Sequence, residues 1–187
     1  MQSALEQTYE NLEIVICDDC RTDEIEQIVQ ELGAGSKVAM RYLSNPTRLG
    51  FQQNLLRCLE ESRGEFIKFL CDDDQLLAFC VSQQAAILQE HAQVSLVINK
   101  HHLIDADNYA LPVRVENTGI TQFDALFNGN DMLAYFEKTT RNILGGLSGA
   151  LMRRADVEAL LPALALPGEG FEAVLDFCLV HLPVAPG

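Results

Sequence analysis

Glu13-Ile-Val-Ile-Cys-Asp-Asp19 is a short β-branched apolar run that ends abruptly in two acids. A run of this kind reads as a strand buried on both faces, as a helix-covered parallel sheet requires. A helical stripe follows, with Ile25, Ile28, Val29 and Leu32 on one face, Thr22 or Asp23 as cap and Gly33 at its end. The order then repeats. Lys37–Leu43 reads as a second strand, ended by the turn Asn45-Pro46. Phe51, Leu55, Cys58 and Leu59 form the next helical stripe, closed near Gly64, and Glu65–Leu70 is a third strand. A helix from Ser82 to His91 leads into a strand over Val94–Ile98. This βαβαβ rhythm predicts an α/β fold with a mostly parallel sheet flanked by helices and right-handed crossovers.

Beyond Lys100 the pattern loosens. Leu103–Asn117 reads as an excursion with short strands, Asp131–Lys138 as a helix, Leu147–Met152 as a strand and Asp156–Leu161 as a short helix. Phe171–Leu182 is expected to be a final apolar helix. At about 150 residues per domain, the 187 residues suggest one domain spanning 1–187.

Acidic side chains outnumber basic ones 27 to 13, giving a net charge of −14. That balance excludes broad nucleic-acid or anionic-membrane binding, which needs Lys/Arg stripes. No basic cluster is longer than Arg153-Arg154, a pair expected to face solvent. No apolar run approaches the roughly 18 residues of a membrane span, and the start, MQSALEQTYE, lacks a signal-peptide core. The chain is expected to be cytoplasmic. Its six cysteines, Cys17, Cys20, Cys58, Cys71, Cys80 and Cys178, sit in apolar segments and read as reduced thiols. Cys17 and Cys20 have CxxC spacing, but no second pair completes a zinc site.

Chemistry gathers at two strand ends. Glu13–Cys17 runs into Asp18-Asp19, and Glu65–Leu70 runs into Asp72-Asp73-Asp74. In open α/β sheets ligands bind outside the carboxyl ends of the strands, so both acid groups are expected on one rim. Clustered carboxylates repel one another, and a hard divalent cation, Mg2+ or Mn2+, removes that cost. Asp18-Asp19 alone are equally well read as helix caps; three consecutive acids exceed what a cap uses. Neither a P-loop nor a GxGxxG is present to hold phosphates instead. His101-His102 lack a third ligand, Asp105 and Asp107 serve an acceptor site or make a turn with Asn108, and Gly145-Gly146 mark a close backbone approach or a plain loop. Arg48 is a lone basic residue in a turn.

These stretches carry a resemblance. Ser3-Ala-Leu-Glu-Gln-Thr-Tyr-Glu-Asn-Leu-Glu-Ile-Val-Ile-Cys-Asp-Asp19 resembles the S-x-L-x-Q-T-Y-x-N-x-E-I-x-I-x-D-D segment of family 2 glycosyltransferases. Asn45, Gly50 and Asn54 fall on that family's N…G…N stretch, and Gly64-Glu-Phe-Ile-Lys-Phe-Leu-Cys-Asp-Asp-Asp74 is similar to its G-E-Y-I-x-F-L-D-x-D-D block. The similarity is dense from Ser3 to Leu77 and thins to a pattern between Val94 and Arg154. It implies a GT-A, Rossmann-like fold with a nucleotide-sugar-binding half over 1–100 and an incomplete acceptor-side half over 101–187. The family's opening strand, V-S-V-I-I-P-x-Y-N, is expected to be missing here, which makes the chain a truncated form.

The resemblance further implies a glycosyltransferase that is metal-dependent and inverting, moving a sugar from a nucleotide-diphosphate donor, a UDP-sugar, to a glycan or lipid-linked acceptor. It assigns nucleotide binding to Asp19, Asp18, Asp72 and Gly50, and the metal to Asp73, Asp72 and Asp74. Cys71 stands where the family has the first acid of its aspartate block. Near the end, Glu172-Ala-Val-Leu-Asp-Phe177 is closest to the family's base pattern, with Val174 at the catalytic aspartate's place and Asp176 or Glu172 as substitutes. Nucleic acid is not an expected partner, and membrane contact is expected only through segments absent here, peripheral to the inner membrane in the full-length protein. The alternatives are a non-catalytic fragment of such an enzyme, or a phospho-receiver-like domain built on Asp18-Asp19, Asp72 and Lys100.

Overall fold

The computed structural model describes residues 1–20, 22–112, 121, 123–139 and 146–164. A single helical turn, α1 (Gln2–Leu5), precedes the first βαβ unit, which forms as the pattern predicts. Strand β1 (Glu13–Asp18) pairs in parallel with β2 (Ala39–Ser44), Glu13 opposite Ala39 and Asp18 opposite Ser44. Helix α2 (Glu24–Gly33) makes the crossover and packs on β2, while α3 (Phe51–Glu61) packs on β1. Asp23 is the N-cap of α2 by position but gives no side-chain cap; Glu24 and Glu26 place negative charge at the positive end of the helix dipole instead.

The second sheet departs from the expected parallel order. β3 shortens to Phe66–Ile67, β4 spans Leu96–Ile98, and the two are not neighbours. Strand β5 (Ala150–Arg153) lies between them, antiparallel to both, with Met152 opposite Ile67 and Leu96. The reason lies in burial. Ala150, Leu151 and Met152 are all under 4% exposed, the signature of a central strand covered on both faces. Side chains alternate across a strand, so Ala150 and Met152 join a core with Leu59, Ile67 and Val157, while Leu151 joins Ala85, Leu88 and Val94. The second of these cores lies under α4 (Cys80–Glu90). The first lies under α3 and α6 (Arg154–Leu164), with Met132 and Leu133 of α5 (Gly129–Thr139) packed against it.

Arg153 and Arg154 do not face solvent as expected; their side chains are each 18% exposed. Arg153 lies 5.5 Å above the Phe66 ring and donates to Leu88 O, to His91 O at 3.0 Å and to Val94 O at 2.8 Å, closing the end of α4. Arg154 donates to Leu59 O at 3.1 Å and Gly64 O at 2.7 Å, doing the same for α3. Each cation therefore meets backbone carbonyls and the negative dipole at a helix C-terminus. The Leu103–Asn117 excursion contains one bridge among its described residues, Ile104 to Ala110, closed at its tip by Asn108 with φ 64°. The expected helix over Phe171–Leu182 lies outside the described residues. No described helix is long and apolar enough to cross a membrane.

Candidate functional site

Asp18 and Asp19 leave β1 at its carboxyl end, and the two carboxylates have different employment. Asp18 is 5% exposed; its Oδ1 accepts from Cys20 N at 2.8 Å and its Oδ2 from Tyr42 OH at 2.8 Å. Asp19 points into the loop before α3. Its Oδ1 accepts from Asn45 Nδ2 at 2.9 Å and Leu49 N at 2.7 Å, its Oδ2 from Gly50 N at 2.8 Å, and Arg48 stands 3.9 Å away. The Leu49 amide, with Asn45, Gly50 and Arg48 in support and partial burial opposing them, holds the Asp19 carboxyl below its usual range.

The N…G…N stretch is the other half of this arrangement. Asn45 Nδ2 also reaches Asn54 Oδ1 at 2.8 Å, and Asn54 Nδ2 donates to Cys17 O at 2.8 Å, fastening α3 to β1. Gly50, the N-cap of α3, has φ 80° and ψ 166°, a conformation open essentially to glycine alone. A carboxylate offers about four lone-pair directions, and three neighbours already use those of Asp19.

The second acid group follows β3. Asp72, Asp73 and Asp74 are exposed, on a turn in which Asp74 N donates to Cys71 O at 3.3 Å. The turn is tied at its start, where Cys71 N donates to Ser148 Oγ at 2.9 Å. It is tied again beyond Asp74: Leu76 N donates to Ser3 Oγ at 3.2 Å, and Gln75 Nε2 to Asn108 Oδ1 at 2.6 Å. A methyl group on Gly146 would lie 4.0 Å from an Asp74 carboxylate oxygen, an ordinary contact, so no close approach demands glycine there. Gly145 is outside the described residues.

Among the described residues no three His, Cys, Asp or Glu side chains are gathered as a closed cage for a metal would need. Open carboxylate oxygens of this kind suit Mg2+ or Mn2+, which take one or two protein carboxylates and complete their shell with phosphate oxygens and water. Asp105 makes a turn, its Oδ1 accepting from Asp107 N at 3.0 Å and Tyr109 N at 2.9 Å. Glu172 and Asp176 lie outside the described residues.

Sequence reasoning passed over a polar cluster between α4 and the second sheet. Gln84 is fully buried; its Nε2 donates to Val97 O at 3.1 Å and Gly149 O at 2.8 Å, and its Oε1 accepts from Lys68 Nζ at 3.0 Å. Burial pushes the Lys68 ammonium below its usual range. The signal was present: Lys68 interrupts the apolar run EFIKFL.

The family model described as Glycosyl transferase family 2 matches residues 1–161. A putative glycosyltransferase EpsE of Bacillus subtilis is 28% identical over 97 residues, 52% of this chain and 35% of the relative. The GalNAc(5)-diNAcBac-PP-undecaprenol beta-1,3-glucosyltransferase of Campylobacter jejuni is 32% identical over 82 residues, 44% of this chain and 26% of the relative. Thus the chain spans about a third or less of these relatives' lengths. Among solved structures, S. aureus TarS 1-349 superposes with a TM-score of 0.71 at 17% identity, covering 97% of this chain and 50% of that one. The same fragment in complex with UDP superposes with a TM-score of 0.62 at 18% identity, covering 96% and 48%. At these identities the likeness is one of fold, a GT-A glycosyltransferase architecture that this chain shares.

Proposed function

Because the chain belongs to glycosyl transferase family 2, we propose that it transfers a glycosyl group from a UDP-sugar to a hydroxyl of a glycan or lipid-linked acceptor. The observation that carries this is the family match over residues 1–161, which takes in both acid segments and the loop between them. It displaces the phospho-receiver alternative. The UDP held by a structure of the same fold supports the donor class, and the undecaprenol-linked acceptor named for the Campylobacter relative supports the acceptor class.

In this reading residues 1–100 carry the donor side and 101–187 the acceptor side. Asp19 and the Gly50 backbone shape the nucleoside end, with Asp18 bracing the strand behind them and Asp72 directed to the ribose. Asp73, with Asp72 and Asp74, would hold Mg2+ or Mn2+ against the donor diphosphate. A cation there supplies neutralisation of the charge that develops on the leaving nucleoside diphosphate. The reaction is inverting: the acceptor oxygen bonds to the anomeric carbon while the bond from that carbon to the diphosphate oxygen breaks. The acceptor's proton passes to a carboxylate, Asp176 or Glu172.

The test is UDP binding by calorimetry with and without Mn2+. Binding is expected to tighten with the metal, and Asp73→Asn to lose about tenfold or more of that metal-dependent affinity. An unaltered chain that binds no UDP with Mn2+ present would sink the proposal.

A further inference from the structure

The Q-T-Y stretch near the start has a place in the fold but no part in the chemistry above. Helix α4 begins at Cys80 with Phe79 as N-cap, a residue that can offer its amides no side-chain acceptor. That acceptor comes from the other end of the chain's donor half. Gln7 Oε1 accepts from Val81 N at 3.0 Å, 74 residues away, and Gln7 Nε2 donates to Leu77 O at 2.9 Å and to Ser3 O at 2.9 Å. Thr8 N donates to Ala78 O at 2.9 Å, and Ser3 Oγ accepts from Leu76 N at 3.2 Å. The segment Leu76–Val81, which carries the chain from the acid turn into α4, is thus bonded along its length to residues 3–8.

The acid turn itself has little else to hold it. Asp72, Asp73 and Asp74 are exposed, and the turn is fixed by Ser148 at Cys71 and by the Gln75–Asn108 bond. An ion bound through one or two carboxylates needs those oxygens held in place before it arrives, and groups that orient ligands from behind govern affinity strongly. We propose that Gln7 is a positioning residue: through Leu77 O and Val81 N it sets the downstream end of the Asp72–Asp74 turn for the cation and diphosphate. The inference rests on the UDP-sugar reading, and it assigns the Gln7 amide a job that neither a carboxylate nor an alkyl group can do. Glutamate keeps an acceptor for Val81 N but sets a second oxygen against Leu77 O and Ser3 O.

The experiment uses the full chain, with UDP and Mn2+ as probes. Gln7→Ala and Gln7→Glu are each expected to weaken Mn2+-dependent UDP binding about tenfold or more, while UDP binding in EDTA stays unchanged. Hydrogen exchange without metal should speed at the amides of Leu76 and Val81. A control, Val157→Ala, opens the core beneath α6; it should lower the melting temperature and leave the Mn2+ dependence intact. Ser3→Ala, a smaller change at the Leu76 tie, should reproduce the effect in weaker form and serves if the Gln7 variants do not fold. Mn2+ dependence as strong in the Gln7 and Ser3 variants as in the unaltered chain overturns the inference alone. So does a parallel fall of metal-free and metal-dependent binding, or an equal loss in Val157→Ala. No Mn2+-dependent binding by the unaltered chain overturns the transferase reading and this inference with it.

Discussion

Asp19 shows how one carboxylate can order a loop and why that order must depend on pH. Its ordinary value is 3.8, and in the fold the Leu49 amide, then Asn45, Gly50 and Arg48, pull it lower. A carboxyl depressed on folding contributes stability that is fully present above its unfolded value and is lost as pH falls through its folded one. Asn at this position keeps an acceptor for Leu49 N but turns an amide donor toward Gly50 N. The melting temperature of Asp19→Asn should therefore lie below that of the unaltered chain at neutral pH. The gap should close as pH is lowered past 3.8 toward the depressed folded value, read by thermal melts at a series of acidic pH values. A gap that stays constant through acid would mean that the carboxyl's charge plays no part in the loop. Cys17 makes the opposite case on the same strand. Burial, then its contact with Cys58, pushes its thiol up to about 12; Asp18 raises the Cys20 thiol as well, so the two cysteines differ in that Cys17 is buried and Cys20 exposed.

Strand β5 is the element on which the two cores depend, and it is also the one whose position the sequence hid. Met152 is fully buried and packs with Leu59, Ile67, Ala150 and Val157. Met152→Ala should cost about 2–5 kcal/mol, measured as a shift in denaturant midpoint with an unchanged slope. A cost below about 1 kcal/mol would mean that the β3-β5-β4 order does not persist in solution. Residues 13–61 were legible because each strand there is followed directly by a helix, so the two periodicities and the signals that separate them lie side by side along the chain. The neighbour of β3 is not local. It arrives from Ala150–Arg153, beyond 80 residues of intervening chain, and nothing in EFIKFL or ALMR states which strand pairs with which. Arg153 and Arg154 resemble surface residues in one dimension for the same reason: the helix ends they close, at Leu59 and Leu88, are remote in sequence. The acid groups were legible as residues, since an abrupt switch from apolar run to carboxylates is visible along the chain. Their supports were not. Ser3, Gln7 and Ser148 are ordinary polar residues until the fold brings them to the amides and carbonyl they pair with.

The net charge of −14 sets the field in which all of this operates. On the donor-binding reading proposed above, a nucleoside diphosphate would meet Asp72, Asp73 and Asp74, which are exposed; Arg48, 79% exposed, is the cation beside Asp19. Repulsion between exposed like charges is screened over about 10 Å at 0.1 M salt and over longer distances at lower salt. Metal-free UDP should therefore bind more tightly as NaCl is raised from about 0.02 to about 0.3 M, because salt weakens a net repulsion. With saturating Mn2+ the sign should reverse or the slope flatten, since a cation held by the acid turn would change it from repulsive to attractive and salt would then screen attraction. Two sets of UDP isotherms across that salt range, one in EDTA and one in Mn2+, read both slopes directly. Metal-free binding that weakens with salt would show that basic contacts, Arg48 foremost, govern the donor's approach. The acid turn would then face away from the diphosphate, and the cation would have to be held elsewhere. Parallel slopes with and without Mn2+ would count equally against the acid turn, because an ion seated between the carboxylates and the donor cannot leave the donor's electrostatics unchanged.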